Sequence, residues 1–218
     1  MALFAKEPLL YRPGSESRYS TFGWVLLSAA IEAVAGTPLT AFLEDQVFRP
    51  LGMLDTVKES VTEPVPHEAT AYVPRFAGNP IYGVHALYKF DYSCHEGSNG
   101  FLSTPSDLVR FGMAINGGKL LRPDTVRIFQ TPQRLTSGKS SGQETGYGLG
   151  WEVKTVTLAG QQVRAAGHNG RFWTGTVASL LTFPERGMAV GVMSNTEFED
   201  APLVAERIAQ VFSEASRN

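Results

Sequence analysis

The stretch QQVRAAGHNGRFWTGTVASLLTFPERGMAVGVMSN, residues 161 to 195, decides the fold. Its apolar residues alternate or come in short runs bounded by turn formers, as in TVASLLTF (176 to 183) and MAVGVM (188 to 193), which reads as a series of strands. Glu185-Arg186-Gly187 separates two of them. Immediately upstream, YGLGWEVKTVTL (147 to 158) has the same character and is parted from the next run by Ala159-Gly160. Connections this short predict antiparallel neighbours joined by hairpins. Downstream, Pro202 to Ala215 predicts an amphipathic helix with Leu203, Val204, Ile208, Val211 and Phe212 turned toward the sheet.

Inside the stretch, His168-Asn169-Gly170 interrupts the apolar pattern and reads as the end of a strand. One reading is functional: a glycine there admits close approach of a ligand to the backbone, and the amide N–H that follows can point at a developing oxyanion. The other is structural, a histidine hydrogen-bonded at a sheet end with glycines serving the turn. Phe172 and Trp173 divide in the same way between a pocket for an acyl or aromatic group and core packing.

Residues 1–145 read as mainly helix and loop, in contrast to the strands and helix of 146–218. YSTFGWVLLSAAIEAVAG (19 to 36) is apolar on nearly every face and stops at Gly36, which predicts a buried helix carrying Tyr19 in its first turn. Thr37 and Pro38 then offer a cap and first position for a second helix, with Leu39, Phe42, Leu43, Val47 and Phe48 on one face, ending near Leu51-Gly52. Residues 59 to 97 lack periodicity and predict long irregular connections with short strands. A third helix begins at Thr104-Pro105, with Asp107 closing a capping box and Leu108, Phe111, Met113 and Ile115 forming its apolar face. The expected class is α+β: an antiparallel sheet flanked by helices, in one domain spanning 1–218.

Composition narrows the function. Among 218 residues, 43% are hydrophobic, enough for a core, and the net charge is −2 with lysines and arginines dispersed, so no basic stripe is present to hold nucleic acid. Lys6 and Glu7 interrupt the N-terminal apolar run before it has the form of a signal peptide, and no run has the length of a membrane span. Neither nucleic acid nor membrane is an expected partner, and the compartment is undetermined. The one cysteine, Cys94, beside His95, has no second ligand at zinc spacing and reads as a small buried hydrophobe. No metal and no cofactor is implied.

PGSESRYSTFGWVLLSAAIEAVAG, NGFLSTPSDLVRFG, YGLGWEV and GHNGRFWTGTVASLLTFPERGMAVGVMSN, taken in that order, resemble the class C β-lactamase superfamily. That group includes penicillin-binding-protein-like DD-peptidases, family VIII carboxylesterases and a mitochondrial β-lactamase-like branch. The resemblance implies a β-lactamase/transpeptidase-like fold and a serine hydrolase acting on a small ester, amide or lactam through an acyl-serine. It places Tyr19-Ser20-Thr21 on the family's Tyr-x-Asn element, with Thr for Asn, and His168-Asn169-Gly170 on its Lys-Thr-Gly element. Tyr19 and His168 become the catalytic candidates, and Asn169, Gly170 and Arg171 the substrate-binding ones, Arg171 through a backbone oxyanion-hole N–H. Histidine in place of lysine removes a fixed positive charge and favours esters and uncharged amides over β-lactams. The family nucleophile sits in Ser-x-x-Lys, and no lysine here follows a serine by three residues; Thr136-Ser137-Gly138-Lys139 is the nearest imitation. The chain is therefore expected to be the C-terminal portion of such a hydrolase, inactive alone, with the N-terminal part of the fold missing and the sheet left with a poorly covered edge or apolar face for an N-terminal segment or a second copy to cover, Trp151 lying near it or covered by another chain. The alternative is a noncatalytic remnant that binds through the same cleft.

Overall fold

A computed structural model describes residues 6–76, 78–139, 141, 146–172 and 175–215; the side chains of Cys94 and Phe172 lie outside that set, as does Trp173. The N-terminal region holds α1 (Thr21–Ala35), α2 (Leu39–Leu43), a π-helical turn over Glu44–Phe48 and α3 (Arg49–Leu51). Strands β1 (Val57–Lys58), β2 (Tyr72–Pro74), β3 (Val84–Ala86) and β4 (Phe101–Leu102) form two small ribbons, β1 with β4 and β2 with β3. Helices α4 (Pro105–Asn116) and α5 (Pro123–Phe129) lead into β5 (Gly146–Tyr147), β6 (Glu152–Leu158), β7 (Gln161–Phe172), β8 (Thr176–Phe183) and β9 (Met188–Ser194), and α6 (Ala201–Ala215) follows.

The expected strands form one antiparallel meander in the order β5-β6-β7-β8-β9. Its tightest connection puts Ala159 at φ 46° and Gly160 at φ 77°, the two left-handed positions of a hairpin turn whose twist matches the strands it joins. β7 extends to Phe172, so His168-Asn169-Gly170 lies within a strand and not at its end. The pairing of β6 stops where Glu152 meets Gly167, while β8 continues to pair through Phe172. From His168 onward, one edge of β7 is thus left by β6.

Helices cover both faces. Leu158, Val163, Ala165, Leu181 and Phe183 pack against Ala205 and Ala209 of α6, and Trp151, Val153 and Ala166 pack with Ile115, Val126 and Phe111 on the other face. Both helices approach the sheet more closely than their large apolar residues suggest. On α4, the expected Phe111 and Ile115 pack on the core, Gly112 and Ala114 are buried with them, and Met113 is exposed; the helix comes so close that a Cβ on Gly112 would stand 2.9 Å from Thr182 Cγ2. On α6, Ala201, Ala205 and Ala209 meet the sheet with Ile208 partly buried, leaving Leu203, Val204, Val211 and Phe212 exposed. Trp151 is likewise not at an uncovered edge: it is buried and stacked on Phe111, with centroids 6.5 Å apart and planes within 7°.

Caps explain several helix boundaries. Ser20 accepts from the Gly23 N–H, Gly36 ends α1 at φ 67°, and Thr104 accepts from the Asp107 N–H. Tyr19 thus precedes the α1 cap instead of occupying the first turn. The second helix also starts later than Thr37 suggests: Pro38 is its cap position, and the Leu39 N–H is satisfied by Glu32 Oε1 at 2.8 Å. Pro50, which has no N–H to give to Gln46, sits just past the π turn that loosens the ladder there. The capping box forms only in half. The fully buried Asp107 carboxylate turns away from Thr104 and accepts from the Asp55 N–H and Thr56 Oγ1 while pairing with Arg110 at 2.7 Å, which compensates a buried charge and ties the chain before β1 to α4.

The α1 helix is not buried. Only Ser28 is enclosed, held by the Glu96 carbonyl, while Phe22, Leu26, Leu27 and Val34 are exposed. Residues 6 to 60 contribute no strand to the five-stranded sheet.

Candidate active site

Alternation along β7 puts His168 and Gly170 on the face turned toward α1 and Asn169 and Arg171 on the face turned toward α6. Tyr19, 59% exposed and placed by the cap at Ser20, brings its ring to 6.0 Å from that of His168. Trp24, one turn into α1, stands edge-on to the same imidazole at 6.4 Å. Tyr147, on β5, closes the group: its ring lies edge-on to Tyr19 at 6.5 Å, and its hydroxyl is 3.2 Å from His168 Nε2. Two phenols and an indole therefore surround one imidazole.

The segment YGLGW explains how Tyr147 and α1 come so close. A Cβ on Gly148 would fall 2.0 Å from the Phe129 carbonyl oxygen, and one on Gly150, at φ 82°, would fall 3.0 Å from Trp24 Cη2. Only a chain without side chains at both positions threads between α5 and α1. Burial, then the nearby Tyr19 and Glu152, push the Tyr147 phenol up from 10.0 to about 12, so it is neutral at physiological pH and available as a donor.

Asn169 is tied on the opposite face: its amide donates to Glu152 Oε2 and its carbonyl accepts from the buried Ser179 hydroxyl, both at 2.7 Å. Arg171 is exposed and reaches the Glu199 carbonyl at 3.4 Å. Gly170 differs from its neighbours in meeting nothing. It is exposed, and a Cβ there would find no atom within 4 Å. Tyr19, His168 and Gly170 thus share one open face of the molecule.

Further along, at the Thr176 end of β8, a groove of about 430 Å³ is lined by Glu68, Tyr88, Lys89, Phe90 and Tyr92 among others. On its wall, burial and then the Glu68 carboxylate raise the Glu59 carboxyl above its ordinary range. Neither Tyr19 nor His168 lines it.

The beta-lactamase family model matches residues 1–212. The chain belongs to that family. It is 29% identical to the mitochondrial serine beta-lactamase-like protein LACTB of Homo sapiens across 97% of its own length, and it spans 43% of the length of that relative. Among solved structures, it resembles an octameric penicillin-binding protein homologue from Pyrococcus abyssi, at 20% identity and a TM-score of 0.75 over 93% of this chain and 44% of the other. It also resembles a D-amino acid amidase from Ochrobactrum anthropi SV3, at 26% identity and a TM-score of 0.64 over 92% and 58%. The fold is that of the penicillin-binding proteins and β-lactamases, with helices on an antiparallel sheet.

Sequence reasoning brought Tyr19 and His168 together and missed Tyr147 and Trp24. The signal for Tyr147 was present, since the two glycines of YGLGW are wasteful in a strand unless something approaches closely. The imitation nucleophile lies in a turn and not on a helix: the Thr136 N–H is bonded to the Gly14 carbonyl, and Gly138 stands at φ 80°.

Proposed function

We propose that this chain supplies one wall of an acyl-transfer site in a serine hydrolase, acting on a small ester, amide or lactam. Tyr19 is the phenol that exchanges a proton with the nucleophile or leaving group. His168 faces the substrate beside it, and the open backbone at Gly170 and Arg171 receives the acyl oxygen. Asn169 holds the strand through Glu152 and Ser179 and supports the wall without facing the substrate. The observation that carries this reading is the 6.0 Å approach of Tyr19 to His168 beside an unfilled Gly170. Family membership supports it, as does the length of the relative, of which this chain spans 43% and which leaves room for a Ser-x-x-Lys element outside the matched part. The chain then corresponds to the C-terminal portion of a longer single-domain hydrolase.

The nucleophile decides the rate. Removing one member of a nucleophile–base unit costs on the order of a million-fold in turnover. The 218-residue chain alone is expected to give no burst with a p-nitrophenyl ester. The same chain joined to a Ser-x-x-Lys segment from its own reading frame, or mixed with it as a second polypeptide, is expected to hydrolyse the ester. A completed protein that cleaves no ester, amide or lactam would favour a binding module instead.

A further inference from the structure

We propose that Tyr147 is a positioning residue that holds the imidazole of His168 in its Nδ1–H form, making His168 a hydrogen-bond donor toward an acceptor oxygen of the substrate. The inference deepens the reading of the site given above and rests on it.

The geometry begins with the backbone. Tyr147 belongs to a strand of two residues, yet its main chain is fixed on several sides: its N–H donates to the Ser141 carbonyl at 2.8 Å, and its carbonyl accepts from the Gln133 N–H at 2.9 Å and the Ser141 hydroxyl at 2.6 Å. Ser141 is itself buried. The constraints at Gly148 and Gly150 hold the next turn, so the phenol is carried by a rigid arm. Its hydroxyl meets Nε2 at 3.2 Å, while Tyr19 and Trp24 stand against the ring at 6.0 and 6.4 Å. The imidazole is thus confined in orientation as well as in place.

A neutral imidazole has one N–H and one bare nitrogen, and a partner at one nitrogen sets the state of the other. A phenol is a stronger donor than acceptor, because its oxygen lone pair is shared with the ring. Among the described residues, no group other than Nε2 is placed to accept the Tyr147 proton. If Nε2 carried the hydrogen, that half-buried O–H would lose its partner. With the phenol as donor, the imidazole proton sits on Nδ1, which has no partner among the described residues and is not among the buried polar atoms. The elevated phenol value agrees, since it keeps Tyr147 protonated. Two neighbouring phenols are thereby divided: Tyr147 is committed to His168, and Tyr19 is left for proton exchange. A histidine that presents N–H selects a carbonyl or carboxylate oxygen beside the scissile bond and discriminates against an ammonium there.

The test reads the tautomer directly on the 218-residue chain, independently of hydrolysis. Histidine labelled with ¹⁵N is followed by long-range ¹⁵N–¹H correlation, with the His168 signals identified by their loss in His168→Ala. The Nδ1–H pattern is expected in the natural chain, with a shift toward Nε2–H in Tyr147→Phe. An Nε2–H pattern in the natural chain, or a pattern unmoved by Tyr147→Phe, would overturn the positioning role, and the first result does not depend on Tyr147→Phe folding. In the protein completed with Ser-x-x-Lys, Tyr147→Phe is expected to lower kcat/KM about tenfold for an N-acyl amino acid ester, the effect of one hydrogen bond, and less than about twofold for p-nitrophenyl acetate, which lacks the second acceptor. Equal losses on the two esters would overturn the donor role. Absence of all hydrolysis with the Nδ1–H pattern intact would count against the proposed reaction and leave the tautomer assignment standing.

Discussion

The sheet and the helix that meets it at His168 are finished to different degrees. Where β7 and β8 pair around Ala166 and Thr182 they are enclosed from both faces: Ala165, Ala166, Thr182 and Phe183 have no accessible surface, and the helices that cover them come close enough to require Gly112 on one side and alanines on the other. Helix α1 has a clean cap at each end yet encloses only Ser28, and Val34 is 91% exposed. The site lies on the seam between them. His168 and Tyr147 stand on constrained backbone, whereas Tyr19 stands just before the cap of a helix held by its inner side alone. The wall is preorganised where it contacts β7 and open on the side of α1.

The largest effects are expected in the sheet. Phe183→Ala, in the most enclosed large side chain, should cost about 3–5 kcal/mol by chemical denaturation. Gly167→Ala should cost about 3 kcal/mol, since a Cβ there would stand 2.0 Å from the Leu180 carbonyl oxygen, which belongs to a backbone that cannot yield. The same substitution three residues on, Gly170→Ala, should leave stability within about 0.5 kcal/mol, because the space in front of it is empty. If Gly170→Ala proved as damaging as Gly167→Ala, the claim that this end of β7 is open would fail.

A further effect is set by pH. The Tyr147 phenol titrates at about 12 in the folded chain against an ordinary value of 10.0, and its neutral form is the one the fold favours. Its contribution to stability is therefore complete below pH 10 and is lost as pH rises toward 12. Urea midpoints measured between pH 8 and 11.5 should fall more steeply for the natural chain than for Tyr147→Phe. Parallel curves would show that the phenol is not buried in this way. The smallest effect belongs to α1, where Val34→Ala should move stability by less than about 0.5 kcal/mol; a core-sized loss would mean that the helix is covered in solution.

What the sequence revealed follows the range of the interaction. The meander was legible because period-two runs and the Ala159-Gly160 turn are local, and the caps at Thr104 and Gly36 were legible for the same reason. On α6, large apolar residues and small ones form two competing stripes, and the sheet took the small one, through a close approach that no single helix encodes. On α4 the expected Phe111 and Ile115 do pack on the core, and Met113 alone of the expected face is exposed, with Gly112 and Ala114 buried in its place. The π turn before Pro50 and the redirected Asp107 carboxylate depend on partners far along the chain, Asp55 and Thr56 for the latter. In the site, Tyr19 and His168 were found through resemblance to a family pattern. Tyr147 and Trp24 belong to the same cluster, but their contact with His168 exists only once β5 and α1 are folded against β7.

The most direct test of the account is covalent labelling by a fluorophosphonate or p-nitrophenyl ester probe, read by intact mass, on the 218-residue chain and on the same chain completed with a Ser-x-x-Lys segment. The account predicts no adduct on the chain alone, one acyl or phosphonyl group per completed protein on the serine of that segment, and a loss of labelling rate on the order of a hundredfold or more in Tyr19→Phe. Stoichiometric labelling of any serine in the chain alone, or undiminished labelling in Tyr19→Phe, would contradict it.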